Sequence, residues 1–168
     1  TGAPGAGKTA VVRQLELDGV AVVEEAATDV IALEQARGIA EPWTDPGFID
    51  RIVALQRQRR LAATGDLQFH DRSVFCTEAL ATFLGHPLSD RLRTEIEELT
   101  RSGFYERRVF FVRLMGFIEP TAARRIGLED ARRFEAVSGD SARPDFTWLH
   151  AAARLAIISS YELNRWFG

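Results

Sequence analysis

The 168-residue sequence holds one cysteine, Cys76, one lysine, Lys8, and one asparagine, Asn164. A single cysteine excludes an intramolecular disulfide and any cysteine-rich zinc site. No apolar run approaches the roughly 18 residues that a membrane-spanning helix needs. Excess positive charge is also missing: the net charge is -3 and the pI about 5.7, so there is no basic field to draw the chain to nucleic acid or an anionic membrane. The expected partner is a small molecule, with no nucleic acid and no membrane, in a reducing, cytoplasmic setting. Oligomeric state is not legible. The length, with 46% hydrophobic residues, allows one sizeable core.

What is present is concentrated at the start. Gly2-Ala3-Pro4-Gly5-Ala6-Gly7-Lys8-Thr9 satisfies the Walker A pattern. Such a loop wraps phosphates with successive backbone N–H groups and with the first turn of the following helix, here reaching Ala10. Its lysine reaches the β- and γ-phosphates, and its threonine hydroxyl is a ligand for Mg²⁺. All but one of the 21 basic residues are arginine, and the exception is Lys8. The phosphate site needs a compact ammonium on a flexible stem rather than a planar fork. The expected ligands are therefore ATP and Mg²⁺, held by residues Gly2 to Ala10. A guanine-specific switch is disfavoured: its Asn-Lys-x-Asp motif is impossible where the only lysine is Lys8 and the only asparagine Asn164.

Hydrophobic spacing predicts a helix over Lys8–Leu17, a short strand at Val20–Val23 covered on both faces, and a helix over Thr28–Ala36. Asp45-Pro46 is expected to cap a long helix running to about Ala63. A strand at Leu67–His70, a helix from Ser73 to Leu84, a helix capped by Ser89 or Asp90, and a buried strand at Val109–Val112 follow. The alternation predicts an α/β protein, a three-layer P-loop fold with a parallel sheet and ligands at the carboxyl ends of its strands. A P-loop is expected to follow a buried strand, so with no residues before Thr1 the domain reads as N-terminally truncated, its first strand missing. The expected division is a P-loop kinase-like domain over 1–136 and a divergent tail over 137–168. In that tail Val137–Pro144 reads as turn-rich, Phe146–Trp166 as an amphipathic helix, and no final strand is evident.

Asp71 ends the Leu67–His70 strand, where a carboxylate lies near the Mg²⁺ and the transferred phosphoryl group; it is expected to hold the metal, accept a substrate proton, or both. Motor-type ATPases place a glutamate directly after such an aspartate, whereas this chain has Arg72. That favours transfer to a bound acceptor over hydrolysis. Glu24 and Glu25 follow the first strand and are candidate hydrogen-bond acceptors for a substrate hydroxyl or amine. Gln56 lies on the buried stripe of its helix, four residues after Ile52, and its amide needs partners, either a substrate or a backbone group. Arg124 and Arg125 follow the last confident strand, where kinase-like enzymes carry a lid whose arginines neutralise charge during transfer. The plain alternative for each of these is a helix cap, solvated loop charge or surface ion pair.

Taken together, the loop at Gly2–Thr9, Val-Val-Glu24-Glu25-Ala-Ala, Pro42-Trp43-Thr44-Asp45-Pro46 with Gln56, His-Asp71-Arg72-Ser73 and Pro120-Thr-Ala-Ala-Arg124-Arg125-Ile with Phe134 resemble the NadR-type AAA domain family. The step Asp71-Arg72-Ser73 also resembles nucleoside and thymidylate kinases. The resemblance covers about four-fifths of the chain. It implies a phosphotransferase moving the γ-phosphoryl of MgATP to a nucleoside-like acceptor, with Asp71 as metal or base residue and Arg72 as a substrate or phosphate contact. Its rival is a nucleotide-binding regulatory module, or an inactive fragment, without kinase turnover.

Overall fold

The computed structural model describes residues 1–114, 127–140 and 146–152. Helices and strands alternate: α1 Lys8–Leu17, β1 Ala21–Val23, α2 Ala27–Ala36, a 3-10 turn at Pro42–Thr44, α3 Gly47–Ala62, β2 Gln68–His70, α4 Val74–Leu84, α5 Asp90–Ser102, β3 Arg108–Arg113, α6 Leu128–Asp140 and β4 Thr147–Ala152. β1 pairs in parallel with β2, Val22 opposite Phe69. β3 pairs in parallel with β4, Phe110 opposite Leu149. The chain is thus α/β, with parallel pairing throughout its described strands.

Thr1 and Gly2 run alongside β3. The Val112 N–H donates to the Thr1 carbonyl at 2.9 Å, the Thr1 nitrogen donates to the Phe110 carbonyl at 2.7 Å, and Gly2 forms a parallel bridge with Val112. Gly2 has φ 130°, and a Cβ there would fall 2.1 Å from the Val112 carbonyl oxygen. Only glycine lets the loop approach β3 this closely.

Most of the buried apolar side chains lie among α2 to α5. Phe48, Ile49, Ile52 and Val53 of α3 are each 1% exposed, and they pack with Val30, Val74, Ala81, Leu92, Ile96 and Leu99. Their spacing of three, four and seven residues follows the helical repeat, so each helix turns one face inward. Glu95 is buried in the same face of α5 and is neutralised by Arg60 at 2.8 Å and Arg57 at 2.6 Å. Ser89 caps α5, its hydroxyl accepting from the Leu92 N–H. At α3 the cap differs by one residue from expectation: Pro46 precedes the first helical residue, and Asp45 Oδ1 accepts from the Gly47 N–H at 2.9 Å.

Three expectations are corrected. The Val20–Val23 strand is only partly covered, Val23 alone being buried and its three predecessors half-buried. The segment from Val137 to Asp140 continues helix α6, which runs across residue 136. Residues 147–152 form strand β4 rather than helix, so a further parallel strand does follow β3. Phe146-Thr147-Trp148-Leu149 is short enough to suit either period, and the free edge of β3 selects the extended form. Residues 153–166 of the expected helix lie outside the described residues.

Candidate functional site

A cavity of about 690 Å³ opens at the P-loop and extends between α2, α3, α4 and α6. Its phosphate end is made by Pro4, Gly5, Gly7, Lys8 and Thr9. Gly5 and Gly7 take φ 83° and 91°, left-handed geometry that bends the loop around a central space before α1 begins. Lys8 is buried at the base, its Nζ donating to the Ala3 carbonyl at 2.7 Å. Burial, and then the charge of Arg72, bring the Lys8 ammonium down to about 7. Thr9 stands exposed on the rim. The Ala10 N–H is engaged within the helix turn, donating to the Gly7 carbonyl at 3.1 Å.

β1 and β2 end side by side, the Asp71 N–H donating to the Val23 carbonyl at 2.8 Å. That pairing sets Glu25 and Asp71 at one edge. Asp71 is 7% exposed, and its carboxylate makes no hydrogen bond or ion pair with any described residue. Burial raises its pKa against the pull of Lys8, and Glu25 adds to the rise. Arg72 adopts φ 72°, a left-handed conformation costing a non-glycine residue roughly 1–2 kcal/mol. From there its Nε lies 2.7 Å from Glu25 Oε1, and its guanidinium sits over the Phe134 ring at 5.4 Å. Thr28 donates to the other Glu25 oxygen at 2.9 Å. Burial pushes the Glu25 carboxyl upward, but Arg72, Lys8 and the Thr28 hydroxyl outweigh it and hold the group below the usual carboxylate range.

The far end of the cavity is largely apolar, lined by Ile31, Trp43, Phe48, Ile52, Leu80 and Leu84. Gln56 is its main polar group on α3. The Thr77 hydroxyl donates to Gln56 Oε1 at 3.0 Å, and the Gln56 amide NH₂ has no hydrogen-bond partner among the described residues. An amide held by its oxygen offers its donors to the cavity.

The structure thus brings Lys8, Thr9, Glu25, Gln56 and Arg72 to one cavity, with Asp71 buried beside it. Glu24 is not part of that set: it is exposed and pairs with Arg13 at 2.9 Å, because consecutive residues leaving a strand face opposite ways. Arg124 and Arg125 lie outside the described residues. Thr28, Thr77 and Phe83 also line the cavity without having been sequence candidates, and so do Asp130, Arg133 and Phe134 of α6, of which the sequence offered Phe134 only within the family resemblance. The spacing of Asp130, Arg133 and Phe134, three and four residues apart, was the available signal for one shared helix face.

A family model described as an AAA domain matches residues 1–144. No curated protein and no solved structure gives a significant match. Among the described residues no helix is long and apolar enough to cross a membrane.

Proposed function

The chain belongs to the AAA domain family, and within that P-loop nucleotide-binding class we propose that it is a kinase-type member that transfers the γ-phosphoryl of MgATP to a small nucleoside-like acceptor. The observation that carries this reading is the two-ended cavity: a phosphate cradle at one end and an apolar, amide-bearing chamber at the other, with Glu25 between them. A hydrolase needs room for a water beside the phosphate, whereas a chamber lined by Trp43, Phe48 and Gln56 suits an organic acceptor. The alternation of helices and strands and their parallel pairing support a three-layer arrangement of the P-loop type as part of the same proposal.

The residues fit the ligands. The phosphates sit in the loop from Gly2 to Thr9 at the start of α1, where the helix dipole favours negative charge. Thr9 and Asp71 would hold Mg²⁺; the buried Asp71 carboxylate, without a partner among the described residues, is the kind of oxygen a hard cation takes. When bound, the metal neutralises charge between the β- and γ-phosphates. Lys8 and Arg72 offset charge as the phosphoryl group moves, and the sequence expectation of Arg125 in the same role and of Arg124 as a substrate contact belongs to the proposal. Glu25, kept ionised, accepts the hydrogen bond of the acceptor hydroxyl and orients it, and Gln56 donates to the acceptor's ring or amide edge. Cytoplasmic activity and the absence of nucleic-acid or membrane partners belong to the same proposal.

ADP release measured with a panel of nucleosides and nicotinamide riboside tests the reading. It requires ATP consumption that depends on one acceptor and falls at least about hundredfold in Gln56→Leu or Glu25→Gln. Hydrolysis indifferent to every acceptor overturns it and favours a nucleotide-dependent regulatory module.

A further inference from the structure

The cations of the phosphate end are engaged by groups of the chain itself. Lys8 is folded onto the Ala3 carbonyl, and Arg72 Nε is paired with Glu25 at 2.7 Å, with Arg72 90% buried and Glu25 about three-quarters buried. All three side chains line the one cavity. Glu25 therefore presents to Arg72, through one oxygen on Nε, an anionic oxygen of the kind a phosphate would also offer, and guanidinium binds carboxylate and phosphate alike. The left-handed backbone at Arg72 and the Phe134 ring under its guanidinium fix where that fork can lie. Phosphate and Glu25 must then compete for it.

Resting on the nucleotide-binding reading above, we propose that Glu25 is an internal competitor for Arg72: arriving phosphate takes the guanidinium, and the released carboxylate becomes free to receive the acceptor hydroxyl. Nucleotide then binds before acceptor, and each strengthens the other, since such coupling is reciprocal. The apparent nucleotide affinity of the free protein is lowered by the fraction of molecules in which the Glu25–Arg72 pair is closed.

A double-mutant cycle read by calorimetric titration with MgATP alone tests this, each variant first checked for a cooperative melt. Glu25→Gln is expected to bind MgATP about tenfold more tightly than wild type. Arg72→Met is expected to bind more weakly, and Glu25→Gln in the Arg72→Met background to give no further gain. Glu25→Ala serves in the same cycle if Glu25→Gln fails to melt cooperatively. A gain of equal size with Arg72 absent, which bulk electrostatics would give, overturns the proposal, as does no gain at all. Wild-type protein that binds no MgATP through Lys8 overturns the nucleotide reading itself and this inference with it.

Discussion

The two ends of the cavity are built by different means. Backbone makes most of the phosphate end: consecutive residues from Gly2 to Thr9, with positive φ at Gly2, Gly5 and Gly7, and a helix start, with the side chains of Lys8, Arg72 and Glu25 set against it. Side chains make the acceptor end, contributed by α2, the Pro42–Thr44 turn, α3 and α4 and held apart by the hydrophobic core behind them. Geometry carried by backbone is local and tolerates few residue types. Geometry carried by distant side chains depends on how helices pack, and many sequences satisfy it.

This difference can be broken at either end. Phe48→Ala should have the largest effect, about 3–5 kcal/mol of lost stability in urea unfolding, because Phe48 is 1% exposed in the core and also walls the acceptor chamber. Gly2→Ala should cost about 3 kcal/mol, with the steric conflict at the Val112 carbonyl compounded by φ 130°. Equal melting of Gly2→Ala and wild type would show that the loop does not depend on its approach to β3. Thr77→Val should cost only about 1 kcal/mol of stability. It should also relax discrimination among acceptors, since the Gln56 amide loses the hydroxyl that orients it.

A pH dependence completes the set. His70 is half-buried against Phe104 and Tyr105 and close to Gln68 and Arg60. Burial, with Arg60 adding, lowers its pKa from 6.5 to about 4. Between those values the unfolded chain binds more protons than the folded one, so this group's contribution to stability is present above pH 6.5 and is lost as pH falls toward 4. His70→Asn should flatten that part of the stability profile; an unaltered slope would place the acid sensitivity elsewhere.

The same contrast explains what could be read from sequence. The phosphate end was legible because one contiguous motif fixes loop, helix start and lysine together. Helices α1, α3, α4 and α5 were legible from apolar spacing and from Ser89 and Asp45 as caps. Glu25 could not be separated from Glu24, because the choice depends on which side chain Arg72 and Thr28 can reach across the strand ends. Thr77 and Phe83 were missed, and Phe134 had no assigned contact, because their place at the cavity exists only once α4 and α6 pack together. β4 was misread because the six-residue segment Thr147–Ala152 takes its conformation from pairing with β3. Neither Arg124 nor Arg125 falls among the described residues, so the lid expectation rests on sequence alone.

The central claim is that Lys8 and its loop bind a nucleotide's phosphates, and the melting temperature of the chain with and without MgATP, beside Lys8→Ala, tests it most directly. Ligand at a hundredfold over its Kd should add about 2.7 kcal/mol of stability to wild type. The account predicts a clear upward shift that disappears in Lys8→Ala while the unliganded melt remains cooperative. A cooperative wild-type melt that MgATP does not move would contradict it.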